Sequence, residues 1–399
     1  MPTHDPSAND GPPKSDEFEI QLEPVDPAEL NLKEIPTVEA VSLRRPGFAF
    51  WKAPLWCLLF LALTQVLPGI FVVGPLILIE LPKIDQRLRD EDAKKDSEGG
   101  TTKPTLNQIL NSPEVQRTIQ IATLVTPVCG IVFSLFFLPR VVGRDWRHRL
   151  SVRIPHIEHV VLIVLLAFPL LIFNMALEGL MNKLTGGSDL FGTSEMKAVM
   201  ESMTTWPWWV LVLGISVGPA ISEELFCRGF LGQGLVSRYG IWTGVLATSF
   251  LFGIIHLNPL QGIVAFLIGI VLHFVYIASR TILIPILLHF LNNFIAISAD
   301  ARDLSLPIGA SLEHALQYQP ALMILASAFL AGTIGLAFYQ SRVRIWNPQG
   351  LSPLKSSYPH VEMPHESSPN RAAAGTISIL SVGLLIVSAS LFSAAWFGL

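Results

Sequence analysis

Nine apolar stretches divide this 399-residue chain, and they fix its class before any motif is read. They run over about 54–81, 118–138, 158–181, 207–232, 242–256, 261–278, 281–298, 320–340 and 376–397. About 20 apolar residues in a helix cross the hydrocarbon core of a bilayer. Inside lipid, every backbone polar group must find its partner within the protein, which a helix does by itself. The expected fold is therefore all-α, a polytopic transmembrane helical bundle of about eight to nine membrane spans. Composition agrees. Charged residues are 15% of the chain and apolar residues 51%, where a soluble domain carries about 25% charge. The net charge of −4 argues against nucleic acid as a partner and leaves the lipid bilayer as the first one.

The stretches differ in character. The first, second, eighth and ninth are uniformly apolar and are expected to form an outer layer. The fifth to seventh are short, closely spaced and carry polar residues, so neighbouring helices are expected to surround them. Residues 1–50 form an acidic N-terminal tail that is too polar to bury a core and is expected to be disordered; Phe18 to Leu22 is a short docking candidate within it. Such a tail does not read as a cleavable leader. Residues 51–204 hold N-terminal spans and loops, 205–298 a polar-bearing core, and 299–399 C-terminal spans with a polar linker over 341–375.

Lys and Arg near span ends set the orientation. Arg44, Arg45, Lys52, Arg140, Arg144, Arg147, Arg149, Arg153, Arg238, Arg280, Arg342 and Arg344 all fall on one side if nine spans alternate. The expectation is an integral multi-pass protein of the cell (plasma) membrane with a cytoplasmic N-terminus. Residues 82–117 disagree, since they would lie outside with seven Lys or Arg and seven Asp or Glu. An alternative makes 54–81 re-entrant, because Pro68, Gly69, Gly74 and Pro75 interrupt it.

Three clusters of ionisable or amide side chains lie inside these apolar runs. Ionisable groups at such places are costly and by default mark a functional site. The first cluster is Glu223, Glu224 and Arg228. Adjacent helical residues point about 100° apart, so the two glutamates take different roles. Arg228 is four residues after Glu224 and shares its face. The expected ion pair is Glu224 with Arg228, which leaves Glu223 free to act as a general base on water. The competing reading is a purely structural network, or charges at an aqueous helix end. The second cluster pairs Phe252 with His256 at a spacing of four. The third pairs His289 with Asn293, again four apart, with Asn292 on the neighbouring face. His273 fits no pattern. His360 and His365, in the polar linker, read as solvated loop residues. Cys57, Cys129 and Cys227 are isolated in apolar runs and read as packing residues. There is no HExxH, no GxSxG, no Walker loop and no Rossmann glycine pattern.

In order, EExxxR, FxxxH and HxxxN on successive membrane helices resemble the CPBP intramembrane protease family, which includes type II CAAX prenyl endopeptidases and abortive-infection relatives. The resemblance covers about residues 205–298. It departs at Cys227, where relatives often carry an aromatic residue; here Phe226 stands one place earlier. The resemblance implies an intramembrane endopeptidase that hydrolyses a peptide bond of a membrane-embedded or lipid-anchored substrate. It implies Glu223 as the activator of water, and His256 and His289 as proton-transfer groups or metal ligands. Asn293 with His289 would stabilise the oxyanion, and Glu224 with Arg228 would orient Glu223. A Zn2+ ion held by Glu223, His256 and His289 is one form of this site, and a metal-free glutamate mechanism is the other. Two readings from other classes stand beside it: a proton-coupled membrane transporter using the same buried groups, and a non-catalytic membrane scaffold.

Overall fold

A computed structural model describes residues 48–95, 106–144, 146–186, 201–301, 309–343 and 379–397. Most of the acidic tail, including Phe18 to Leu22, and most of the 341–375 linker with His360 and His365 lie outside the described residues. Within them the chain is helical, without strands.

Six helices are long and apolar enough to cross a membrane, and three shorter apolar helices accompany them among the described residues. In chain order the principal helices are α1 (Lys52–Asp90), α2 (Pro113–Val141), α3 (Ile157–Leu184), α4 (Trp208–Tyr239) and α5 (Ile241–Ile254). They continue with α6 (Pro259–Ser279), α7 (Leu283–Ala301), α8 (Gly309–Tyr318), α9 (Pro320–Gln340) and α10 (Ile379–Phe397). The protein is an integral membrane protein: α1, α2 and α9 expose most of their apolar surface, as lipid-facing helices do, including Phe71, Leu78, Val132 and Leu325.

The helix α1 runs unbroken, and the re-entrant alternative is not what forms. Its prolines and glycines are absorbed by three π-helical turns, Ala62–Val66, Gly69–Val73 and Leu76–Glu80. A π turn re-partners the carbonyls that a proline leaves without an N–H. At 39 residues and 1.5 Å per residue the helix reaches roughly 58 Å, well beyond the ~30 Å hydrocarbon layer. Residues 82–95 of the charged segment are thus a helical extension of a span. Arg87 of this extension makes a two-pronged pair with Glu114 at the start of α2, at 3.1 and 3.2 Å.

Alternation of the helices follows from contacts between their ends. At one end, Phe50 N–H donates to the Tyr239 hydroxyl, Tyr276 donates to Leu150 O, Arg153 to Ser279 O, and Val343 N–H to Ala278 O. The start of α1 therefore lies with the ends of α4, α6 and α9. At the other end, Trp206 donates to Gln116, which joins the approaches to α4 and α2. The basic residues Arg238, Arg280 and Arg342 all lie at the first of these ends.

Burial sorts the helices into two layers. Over their most apolar windows α4 and α6 are 56% and 50% buried, against 22% for α1 and for α9. The inner layer is α4 to α7. Close approach to α4 from α2 depends on glycine: a Cβ on Gly218 would lie 2.6 Å from the Pro127 ring. Behind α4 an aromatic stack fills the space to α1 and α2. Phe226 stacks on Phe60 at 4.0 Å, and Phe133 meets both Phe226 and Phe230 edge-on. Phe226 fills this stack while Cys227 beside it is fully buried, and all three cysteines are free.

Candidate active site

The glutamate pair sits near the middle of α4, between two π-helical segments, Val212–Val217 and Leu225–Leu231. The helix continues past Arg228 as far as Tyr239, so Glu223 lies well inside it. π segments of this kind occur often at functional sites, because they re-aim side chains without breaking the helix.

Glu224 and Arg228 pair as their spacing predicts, at 2.7 Å, and both side chains are 0% exposed. The guanidinium also donates to Gly269 O of α6 at 2.9 Å. Its carbon lies 4.9 Å from the centre of the Phe252 ring on α5. One cation thus ties three helices together in a dry interior, where its charge is balanced by a carboxylate, a carbonyl and a ring face.

The spacing does not reveal a second bond of Glu224. Its Oε1 also accepts from His289 Nδ1 of α7 at 2.9 Å. A carboxylate can only accept, so the proton of this bond sits on Nδ1. The other ring nitrogen, Nε2, is turned toward Glu223 and lies 3.8 Å from its Oε2. That oxygen is buried and has no hydrogen-bond partner in the protein. The gap is too long for a direct hydrogen bond and short enough for one water molecule to touch both groups.

His256 follows the last turn of α5. Its Nδ1 donates to Phe252 O at 2.8 Å, which leaves Nε2 as its outward nitrogen. The Phe252 ring stands edge-on to both imidazoles, 4.9 Å from His256 and 5.9 Å from His289. Phe252 is therefore the apolar partition around which His256, His289 and Arg228 are arranged.

Asn293 is fixed by its surroundings. Its Nδ2 donates to Ile215 O of α4 at 3.1 Å. Ile215 is four residues before Pro219, which has no N–H to offer that carbonyl, and the asparagine supplies a donor there. Asn292 donates to Asn293 Oδ1 at 3.4 Å, and Asn174 of α3 donates to Asn292 Oδ1 at 3.2 Å. Asn174 is a member of the site that sequence reasoning missed. A single amide in an apolar span, 118 residues before its partner, leaves no local pattern to find. His273 is fully buried on α6.

His289 comes to the depth of Glu224 because the α6–α7 turn is itself buried. Ser279, Arg280, Thr281 and Ile282 are each 5% exposed or less, so α7 starts inside the protein instead of at its rim.

A zinc ion bonds imidazole nitrogen and carboxylate oxygen at about 2.0–2.2 Å, so its ligands lie within about 4 Å of one another. Glu223 and His289 meet that spacing. No third His, Cys, Asp or Glu completes a set with them among the described residues. The arrangement does not fit the expected three-residue zinc site.

The comparison with known families turns on this same stretch of chain. Residues 205–295 match the family Type II CAAX prenyl endopeptidase Rce1-like. The Rce1-like segment begins just before α4 and ends within α7, so it contains Glu223, Glu224, Arg228, Phe252, His256, His289 and Asn293. The match supports, at the level of the family, a CAAX-protease-like membrane endopeptidase with a membrane-associated peptide substrate. Asn174 and helices α1, α2, α9 and α10 lie outside the Rce1-like segment. No curated protein and no solved structure matches the chain.

Proposed function

We propose that the protein is an intramembrane endopeptidase in which Glu223 activates water against a peptide bond of a lipid-anchored or membrane-embedded substrate. The observation that carries this is the pair of groups facing each other between α4 and α7: Glu223 Oε2, buried with no hydrogen-bond partner, and His289 Nε2 at 3.8 Å.

A water touching both groups gives its proton to Glu223 as its oxygen attacks the carbonyl carbon. The developing oxyanion is met by a hydrogen of Asn293, which gives its other amide hydrogen to Ile215 O, while His289 Nε2, left as an acceptor by the Nδ1 bond to Glu224, takes the water's second hydrogen and orients it. Glu223 then returns the proton to the leaving nitrogen, and the products are a carboxylic acid and an amine. Glu224 does not touch the substrate. It holds the His289 ring by Nδ1, and Arg228 holds Glu224. Phe252 shields the pair from lipid and bulk water, which strengthens each of these interactions. His256, with Nδ1 committed to Phe252 O, presents Nε2 as a second proton-transfer group. We infer that the end carrying Arg238, Arg280 and Arg342 faces the cytoplasm, by the excess of positive charge there.

The test is to express wild type and Glu223→Gln in matched membranes and map new peptide termini across the membrane proteome. Termini present with wild type and absent with Glu223→Gln identify substrates. Identical terminus profiles would remove the endopeptidase reading.

A further inference from the structure

A cavity lies across α6 from the glutamates. It has a volume of about 1050 Å³ and is bounded by α3, α5, α6 and α9. It is separate from the active site. Gly269 O accepts Arg228 on one face of α6, whereas Leu267, Val271, Phe274 and Ala278 line the cavity on another.

Its walls are apolar along most of their length. The small residues Ala328, Ala331, Gly332 and Gly335 of α9 make the trough, and a Cβ added at Gly332 would meet no atom within 4 Å. From Leu267 to Ala278 the cavity follows α6 over 11 residue steps, roughly 17 Å at 1.5 Å per step. That is close to the roughly 15 Å depth of one leaflet's hydrocarbon.

Polar lining is confined to one end. Arg280 and Arg342 are its two charged residues, with Tyr339 beside them. Arg280 is only 5% exposed. It caps α6 with φ +53°, a left-handed position that helices mostly give to glycine. Arg342 lies over the Tyr339 ring at 3.8 Å. Trp242, also lining this end, is 81% exposed. Exposed Trp and Tyr mark the headgroup level of a membrane, and clustered arginines there attract anionic lipid.

We propose that this cavity is a binding site for one anionic glycerophospholipid of the leaflet on the arginine-rich side. The phosphate and anionic headgroup meet Arg280 and Arg342, and an acyl chain lies along the α9 trough. The two arginines attract an anionic headgroup and not a neutral one, so charge selects the occupant. The proposal rests on the membrane fold and is independent of the proposed catalysis.

The experiment uses full-length protein, delipidated in detergent. It is titrated with phosphatidylglycerol, with phosphatidylcholine of the same acyl chains, and with inorganic phosphate. Retained lipid is read by native mass spectrometry and stability by thermal melting. One phosphatidylglycerol per chain is expected, with a raised melting temperature and retention at least fivefold above phosphatidylcholine. Arg342→Gln, at a half-buried position, is expected to weaken phosphatidylglycerol about fivefold, the worth of one interfacial basic charge. It should leave phosphatidylcholine unchanged. Gly332→Leu is expected to abolish retention while the protein melts as a folded species. Equal retention of the two lipids, or undiminished binding to folded Gly332→Leu, would overturn the proposal. So would equal stabilisation by inorganic phosphate, or a dimer in the delipidated sample that shields the trough.

Discussion

Arg228 ties α4 to α5 and α6. It neutralises Glu224, caps the Gly269 carbonyl and lies against Phe252. Truncating one member of a buried pair leaves its partner's charge without compensation, at a cost of about 3–5 kcal/mol. Arg228→Ala is therefore expected to lower the melting temperature in detergent as well as the yield, and to release the His289 ring along with Glu224. An unchanged melting temperature would mean that the pair is not buried. Asn174 acts at one remove, through Asn292 to Asn293. Asn174→Ala is expected to reduce kcat about 10-fold with little change in KM, within the ~10² that a 1 Å misplacement of a catalytic group can cost. A change in KM alone would show that Asn174 serves binding instead of positioning. Much of this constellation was legible in the sequence. The i,i+4 spacing gave the Glu224–Arg228 pair, and the three spaced clusters named the other side chains. The Glu224–His289 bond and the Asn174 relay were not legible, because each joins helices far apart in sequence and has no local signature.

At the scale of elements, α4 holds the two glutamates between stretches where its backbone departs from a regular α-helix. Pro219 removes the N–H that the Ile215 carbonyl would otherwise receive, and the structure turns this loss into an anchor for Asn293. Pro219→Ala restores an internal donor. It is expected to hold or raise the melting temperature, since a proline inside a helix costs about 3 kcal/mol or more. It is also expected to lower turnover severalfold as Asn293 loses its acceptor. Full activity in a stabilised Pro219→Ala would show that Asn293 is placed by other contacts. The reach of α4 past Arg228 could be read from its apolar run. The depth of α7 could not: counting residues from a rim assumes that every helix starts at the rim, and the buried turn at Ser279–Ile282 breaks that assumption. Likewise Pro68 and Pro75 read as a break in α1, but π turns keep that helix continuous.

For the whole molecule, two layers divide the work. α1, α2 and α9 meet lipid with apolar side chains, while α4 to α7 bring five ionisable or amide groups, Glu223, Glu224, Arg228, His289 and Asn293, into one interior. A bundle that only had to span the membrane would bear the desolvation of these groups without return. The all-α polytopic fold follows from the apolar runs alone, but the separation of the polar interior around Glu224 from the apolar cavity across α6 needed the packed structure. The central claim is that Glu223 is the base that activates water. It is tested most directly by single-turnover hydrolysis of a lipid-anchored peptide in vesicles, comparing wild type with Glu223→Gln at equal folded protein. The account predicts a fall in rate of about 10²–10⁴, the usual contribution of a general acid–base group. Hydrolysis by Glu223→Gln at the wild-type rate would contradict it.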